Sequence, residues 1–279
     1  MATEGLPVEV ACRVLGVSVS GYFAWRFRPP SARAIRHAWL TDVIGQVHQA
    51  SYGTYGGRRV HAELVLGRGI QVGREAIAAL MRKAGLRGHT GAPWRRFLTG
   101  VASAEDLVDR RFRRDGPNQL WVTDITEHPT REGKVYCAVV MDAYSRRVVG
   151  WSISHSPNAG LATNALGMAI DQRQIDRGRT LIHSDHGTAF TSWAFTHRAR
   201  QSGLVPSMGS VGDCFDNAMM EAFWSRMQVE LLDRRRWRTR IELATAIFEW
   251  IEIFYNRRRR HSRLGMLTPM EFEQQAMVA

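Results

Sequence analysis

The sequence contains few lysines, few cysteines and no long apolar run, and each scarcity excludes a class of protein. Only two of the 38 basic residues are lysines, so arginine carries almost all of the positive charge. The three cysteines (Cys12, Cys137 and Cys214) lie far apart and form no C-x-x-C pair. This argues against a disulfide framework and a structural zinc site. No apolar run approaches the roughly 18–20 residues that a membrane span needs, and the N-terminus lacks the features of a signal peptide.

Positive charge is what the sequence has in excess. Its 279 residues carry a formal net charge of +12, which points to a polyanion partner, most simply nucleic acid. Residues 1–120 hold 18 basic and 9 acidic side chains, residues 121–230 hold 10 and 11, and residues 231–279 hold 10 and 6. A near-neutral middle with basic flanks is expected of a catalytic core between DNA-binding segments, although arginines on solvated faces would give the same counts.

The first half of the chain is predicted to be helical. In residues 8–26, apolar residues at helical spacing end at Leu15, Gly16 breaks the pattern, and Ser18 can cap a second helix, which is a helix-turn-helix pattern. A helix is predicted over residues 35–50, with its apolar stripe on Ile35, Trp39, Val43, Val47 and Ala50. A second pair is predicted over 58–66 and 74–84, with Ile77, Leu80 and Met81 facing inward.

The middle of the chain alternates strand and helix patterns. Residues 120–126 and 135–141 are dense in β-branched and aromatic residues, as buried strands are, and a third strand is predicted over 147–153. Helices and short strands then alternate to residue 208, and long amphipathic helices follow over 216–232 and 240–255. We therefore predict an α/β core preceded by an α-helical region.

Three carboxylates stand where structure alone would not place them. Asp124 lies inside a predicted strand, where aspartate is disfavoured and costly to bury without a partner. Asp185 follows the end of another strand, and Glu221 lies one turn into a helix. Each has an ordinary structural interpretation if taken singly. Together they could converge at one end of a sheet, where divalent cations would neutralise them and support phosphoryl transfer.

Thirty-five residues separate Asp185 from Glu221. With this spacing, the three carboxylates resemble those of the DDE transposase and retroviral integrase superfamily. More closely, the chain resembles the second reading frame of bacterial insertion-sequence transposases of the IS-three type. The resemblance covers nearly the whole chain in order. It is carried by Leu120-Trp-Val-Thr-Asp-Ile-Thr, Val140-Met-Asp-Ala-Tyr-Ser-Arg, Val149-Gly-Trp, His183-Ser-Asp-His-Gly-Thr, Gly212-Asp-Cys-Phe-Asp-Asn-Ala-Met-Met-Glu221, Phe223-Trp224, Tyr255-Asn256 with Arg259 and His261, and Leu264 with Thr268-Pro269.

The resemblance implies an RNase H-like integrase catalytic core with a mixed five-stranded sheet, preceded by a helix-turn-helix DNA-binding region. It implies that Asp124, Asp185 and Glu221 bind Mg²⁺ or Mn²⁺. The enzyme would hydrolyse a phosphodiester at an element end, and the freed 3′-OH would attack another phosphodiester. The chain departs from the family pattern at Gln228, seven residues after Glu221, where the family commonly has a basic residue.

The expected organisation has five parts, and several residues are candidates for DNA contact. We expect a helix-turn-helix-like region at 1–50, a second helical DNA-binding region at 51–88, a linker at 89–117, the catalytic core at 118–232, and a C-terminal helix and basic tail at 233–279. The candidates for DNA contact are Arg58, Arg59, Arg146, Asn217, Gln228, Arg257, Arg258, Arg259, Arg260 and His261. Asn217 is equally consistent with a helix-start residue that satisfies backbone amides.

The expected partners follow from the same resemblance. They are DNA, as terminal inverted repeats and target, further copies of this chain, and an upstream-frame protein or a frameshift fusion to it; no membrane partner is expected. The expected location is the bacterial cytoplasm, at the nucleoid. Two alternatives stay open: a catalytically silent DNA-binding regulator of transposition, and an RNase H-like nuclease.

Overall fold

The computed structural model describes residues 7–89, 114–208 and 218–278. Its first two helices are α1 (Val8–Val14) and α2 (Val19–Arg26). Gly16 between them has a φ of +67°, a left-handed conformation that glycine adopts without steric cost. Ser18 caps α2, because its side chain accepts a hydrogen bond from the Gly21 amide at 3.0 Å. The predicted helix, glycine break and capped second helix are confirmed.

Three further helices precede the sheet: α3 (Ala32–Ala50), α4 (Gly57–Ala62, continued by a π-helical turn over Glu63–Gly67) and α5 (Arg74–Lys83). The inward residues predicted for α5 are confirmed. The stripe predicted for α3 is wrong at three of its five positions, because Ile35 is 60% and Trp39 48% exposed and Ala50 is also exposed. The residues that α3 buries are Leu40, Val43, Ile44 and Val47.

A five-stranded mixed sheet forms the centre of the molecule, as predicted. Its strands are β1 (Leu120–Thr130), β2 (Gly133–Asp142), β3 (Val148–Ser154), β4 (Leu181–Ser184) and β5 (Val205–Met208). Their spatial order is β3-β2-β1-β4-β5. The first three strands pair antiparallel, whereas β4 pairs parallel with both β1 and β5.

Helices cover both faces of the sheet. They are α6 (Ala159–Gln172), α7 (Thr188–Thr191), α8 (Trp193–Gln201), α9 (Ala218–Glu230), α10 (Arg240–Phe248, continued by a π-helical segment over Glu249–Tyr255) and α11 (Pro269–Val278). No helix of the described residues is long and apolar enough to cross a membrane.

Two hydrophobic cores lie on opposite faces of the sheet. On one face, Trp121 and Val140 pack with residues of α6 and α8. On the other face, Leu120 and Val122 belong to a larger cluster that includes α9, the segment after α10, and the buried residues of α3 to α5. The N-terminal helices α3 to α5 therefore share one continuous core with the α9 face of the sheet.

Candidate functional site

Asp124 lies on β1, and Asp185 lies directly after β4, the parallel strand that pairs with β1. Val122 of β1 pairs with His183 of β4, and each aspartate stands two residues further along its own strand direction. Side chains two residues apart in a strand project from the same face. Since Val122 belongs to the core under α9, the carboxylate of Asp124 is directed to the face that α9 covers. Asp185 follows directly after β4, which ends at Ser184.

Each aspartate is oriented by hydrogen bonds. Oδ1 of Asp124 accepts from the Ile125 amide at 2.8 Å, and its Oδ2 accepts from Nε1 of Trp224 at 2.9 Å. Oδ1 of Asp185 accepts from the Gly187 amide at 2.9 Å. Asp124 is half-buried, whereas Asp185 is exposed. A carboxylate offers about four lone-pair positions, so acceptor capacity is left on Asp185.

The histidines on either side of Asp185 differ in their environment. His183 is buried, and its Nδ1 lies 3.1 Å from Oγ of Ser207 on the adjacent strand. His186 is exposed. The contact of His183 supports a structural role in joining β4 to β5.

Glu221 lies on α9, one turn before Trp224. The bond from Trp224 to Asp124 places this part of α9 against β1, and the helix anchors itself in the core through Met220 and Phe223. Glu221 itself is exposed. In residues 7–89, 114–208 and 218–278, no three His, Cys, Asp or Glu side chains are grouped closely enough to hold a metal ion. Asp124 and Asp185 thus belong to two neighbouring parallel segments, and Glu221 lies on the helix that contacts Asp124 through Trp224.

Asn217, a candidate for DNA contact, falls outside the described residues, directly before α9. Gln228, two turns after Glu221 on α9, donates a hydrogen bond from its Nε2 to Oδ1 of Asp233. The amide that replaces the expected cation is therefore engaged with a carboxylate of the chain.

The basic run at residues 257–260 divides into exposed and buried members. Arg257 and Arg258 are exposed. Arg259 is 2% exposed and donates twice to Glu230, at 2.8 and 2.7 Å. Burial lowers the pKa of Arg259, but the charge and hydrogen bonds of Glu230 outweigh burial and raise it overall. Its guanidinium group is thus used within the protein.

Arg260 joins the C-terminal segment to the N-terminal helices. It is 3% exposed, and its guanidinium donates to Glu63 at 2.7 Å and to Glu271 at 2.6 Å. Its amide donates to the hydroxyl of Tyr55 at 2.7 Å, and that hydroxyl donates to the Arg258 carbonyl at 3.2 Å. Burial raises the pKa of Tyr55 to about 12. The exposed Arg257 and Arg258 are therefore better placed for DNA than Arg259 and Arg260.

The two arginines at the start of α4 also differ. Arg58 is exposed, whereas Arg59 lies 3.7 Å from Glu230 and packs over the ring of Tyr55. His261 contacts the same group, because its Nε2 lies 3.3 Å from Nη1 of Arg259. Burial and the charges of nearby arginines hold the pKa of His261 well below its ordinary value.

Arg146 lies in the tight turn between β2 and β3, in the left-handed region with φ +63°. Asp142 builds this turn: its Oδ1 accepts from the amides of Tyr144 and Ser145, and its Oδ2 accepts from the amide of Asn118. Asp142 is fully buried. These bonds make Asp142 a structural residue of the turn that presents Arg146.

Sequence reasoning did not identify Trp224 as a partner of Asp124. Trp224 also stacks edge-on against Phe223 at 4.8 Å between ring centroids. The polar end of its indole ring carries no signal in the sequence, because its partner lies 100 residues away.

Comparisons with known proteins agree with these features. An integrase core domain model matches residues 114–214, a second integrase core domain model matches residues 202–269, and an HTH-like domain model matches residues 36–92. The chain is 35% identical to the transposase InsF for insertion sequence IS3A of Escherichia coli strain K12, over 95% of this chain and 93% of that protein.

Two further similarities are notable. The chain is 36% identical to the transposase for insertion sequence element IS629 of Shigella sonnei, over 97% of this chain and 92% of that protein. Among solved structures, the HTLV-2 integrase catalytic core domain in complex with magnesium aligns with 57% of this chain and 98% of its own, at 18% identity and a TM-score of 0.43.

Proposed function

Because the chain belongs to the family of insertion-sequence transposases with an integrase core domain, we propose that it cuts and joins DNA by metal-dependent phosphoryl transfer at Asp124, Asp185 and Glu221. The observation that supports the proposal is the parallel pairing of Val122 on β1 with His183 on β4, each two residues before one of the aspartates. Strands in a sheet lie about 4.8 Å apart, so carboxylates from neighbouring strands can share a ligand.

The donor chemistry suits Mg²⁺ or Mn²⁺, since carboxylate oxygens are the ligands that hard divalent cations prefer. In the described part of the chain, Oδ2 of Asp185 accepts no hydrogen bond, and Asp185 is exposed. When bound, such cations activate an attacking oxygen and stabilise a leaving oxygen at phosphorus. The two aspartates support this assignment by position, and Glu221 supports it by lying one helical turn from Trp224.

Each residue has a distinct role in this proposal. Trp224 holds the carboxylate of Asp124 in one orientation, and the Gly187 amide does the same for Asp185. Glu221 completes the set from α9 once DNA is bound. Water and then a DNA 3′-OH serve as nucleophiles, so no covalent bond between protein and DNA is needed. The exposed arginines hold DNA phosphates, for which a guanidinium is suited by its bidentate geometry.

We further propose that the partners are the terminal inverted repeats and the target DNA. Two element ends must be brought together for joining, so the working complex contains at least two copies of this chain. The family resemblance adds an upstream-frame protein or a frameshift fusion as a second partner.

A strand-transfer assay tests the proposed chemistry. The full chain, a labelled element-end oligonucleotide and Mg²⁺ should give cleaved and joined products, and Asp185→Asn should abolish both. Asp171→Asn is the matched control, because Asp171 is exposed at the end of α6 and its substitution should leave joining unchanged. Joining that survives Asp185→Asn would contradict the proposed metal site.

The same assay separates the alternatives. Specific end binding without any cleavage by the unmodified chain would support a silent regulator, and cleavage of RNA–DNA hybrids without joining would support a nuclease. Metal binding has its own readout, which is the rise in melting temperature on adding Mn²⁺. That rise should be present in the Asp171→Asn variant and absent in Asp185→Asn.

A further inference from the structure

A cavity of about 170 Å³ lies beside α9, where the N-terminal helices, the β2–β3 turn and the segment after α10 meet. Met141 and Phe223 contribute apolar walls, and Ala222, the residue after Glu221, lies at its edge. The remaining walls are strongly basic. The basic side chains that line the cavity are Arg59, Arg146, Arg226, Arg259, Arg263 and His261.

The positive charge around this cavity exceeds the negative charge available to balance it. Glu230 accepts two hydrogen bonds from Arg259 and lies 3.7 Å from Arg59. Within the described ranges, the guanidinium groups of Arg146, Arg226 and Arg263 form no ion pair and no hydrogen bond with a carboxylate. Five arginines therefore face a single carboxylate, and that carboxylate is already shared by two of them.

This excess of positive charge contributes to lowered pKa values of ionisable groups around the cavity. Burial lowers the pKa of Arg59 and of Arg146, and neighbouring arginines lower both further. The same arginines lower the pKa of His261. Positive potential of this kind, in a partly enclosed space, is the environment that attracts an anion.

The conformation of Arg146 provides an independent observation. Its φ of +63° is in the left-handed region, which non-glycine residues rarely adopt and which often marks functional positions. The bonds of Asp142 hold the turn in this shape, and the Arg146 amide itself donates to the Asp142 carbonyl at 2.9 Å. A glycine would fit this backbone better, so the presence of an arginine calls for a reason in its side chain.

We propose that the cavity binds one backbone phosphate of the element-end DNA, through Arg146, Arg226 and Arg263. The inference rests on the proposed function and adds a defined phosphate position beside the reacting one. Arg226 lies five residues after Glu221, about 7.5 Å along the helix axis. Arg226 and Arg263 are exposed, so the cavity is open to a phosphate that remains part of a DNA strand.

The arrangement also couples two regions of the protein. Arg59 belongs to α4, in the part matched by the HTH-like domain model, whereas Arg226 belongs to α9, which carries Glu221. A phosphate in the cavity neutralises charge that would otherwise push these regions apart. DNA bound at this position therefore favours the packing of the N-terminal helices against the catalytic helix.

Methylphosphonate scanning tests the proposal. Each phosphate of the element-end oligonucleotide is replaced in turn by a neutral methylphosphonate, and binding to the full chain is measured without divalent metal, so that the result does not depend on catalysis. One or two positions near the cleavage site should weaken binding by about tenfold, as expected for loss of a charge-assisted hydrogen bond. Arg226→Gln should remove the sensitivity at those positions alone. Equal sensitivity of both proteins at every position would overturn the proposal.

Two further variants control for folding and for general charge. Arg179→Gln removes an arginine that is 84% exposed and forms an ion pair with Asp176, and it should keep the position-specific sensitivity. Arg146→Gly relieves the left-handed strain, so its melting temperature should equal or exceed that of the unmodified chain while the sensitivity is lost. A lower melting temperature of Arg146→Gly would overturn the assignment of Arg146 to phosphate.

If free pyrophosphate raises the melting temperature and the scan shows no sensitive position, the cavity serves a soluble anion, which also overturns the proposal.

Discussion

Nε1 of Trp224 on α9 donates a hydrogen bond to Oδ2 of Asp124 on β1 at 2.9 Å. This bond is the direct link between the helix that carries Glu221 and the strand that carries the first aspartate. A donor that orients a ligating carboxylate affects metal affinity and activity even though it touches neither metal nor substrate. Trp224 is therefore a positioning residue of the proposed site, as well as a packing partner of Phe223.

Trp224→Phe should slow DNA joining by about 10-fold to 100-fold, the range found when such supporting hydrogen bonds are removed. The phenyl ring keeps most of the packing against Phe223, so the melting temperature should change much less than the rate does. Single-turnover joining assays across a range of Mn²⁺ concentrations check this, because a mispositioned Asp124 should raise the Mn²⁺ concentration needed. Trp193→Phe, at a position 75% exposed, is the control, and equal rates for both variants would refute the positioning role.

Arg259→Gln should destabilise the protein by about 3–5 kcal/mol, because it leaves the buried Glu230 without its two-bond partner. Urea unfolding measures this loss directly. Arg257→Gln, at an exposed position two residues earlier, should change stability by less than about 0.5 kcal/mol. It should instead reduce by about one the slope of log affinity for DNA against log salt. A stable Arg259→Gln variant with the same reduced slope would show that Arg259 acts on DNA after all.

The sequence predicted the local features of the fold well, for physical reasons that are themselves local. Ser18 and Gly16 act within one turn of their own positions, and β1 to β3 are dense in β-branched and aromatic residues over short stretches. The buried state of Arg259 and Arg260 had no such signal, because their partners Glu230 and Glu63 lie 29 and 197 residues away. From the sequence, the run of four arginines predicted DNA contact for all four, because the carboxylates that bury two of them are distant in the chain.

The pattern of burial on α3 also depends on contacts that the local sequence does not reveal. The spacing of Ile35 and Trp39 fits an amphipathic helix, but the cluster that α3 joins covers only the part of the helix from Leu40 onward. The site was predictable to a similar degree. The strand patterns predicted β1 and β4, which pair in parallel two residues before Asp124 and Asp185, whereas the arginine cavity combines distant segments that no local pattern connects.

Gly150→Ala should destabilise the protein by about 1–3 kcal/mol or more, because an added methyl group has no space. A Cβ at this position would meet the Ala165 carbonyl oxygen and would lie 2.7 Å from the Ala169 amide nitrogen, both backbone atoms of α6. The glycine of the Val149-Gly-Trp segment thus allows α6 to pack closely on β3. Gly45→Ala is the matched control on α3, where a Cβ meets nothing within 4 Å, and it should stabilise the helix by about 0.5–1 kcal/mol. Thermal unfolding of both variants checks this, because Gly150→Ala should lower the melting temperature and Gly45→Ala should raise it.

His261 should make the stability of the protein depend on pH below neutrality. Burial lowers its pKa in the folded state, and the charges of Arg259, Arg59 and Arg146 lower it further, whereas the unfolded chain has an ordinary value near 6.5. Between these two pKa values the unfolded state binds more protons, so the free energy of unfolding rises with pH there. The contribution is complete above about pH 6.5 and is lost as the pH falls towards the folded-state pKa.

His261→Gln should flatten this part of the stability profile, since the Gln side chain can still accept the hydrogen bond that Arg259 donates but takes up no proton. Unfolding in urea at half-unit steps from pH 5 to pH 8 measures the slope for both proteins. His155→Gln, at an exposed position before α6, is the control and should retain the slope of the unmodified chain. DNA in the adjacent cavity would bring negative charge close to the imidazole and raise its pKa, so the slope should also shrink when element-end DNA is bound. A slope unaffected by His261→Gln would mean that other groups set the acid sensitivity.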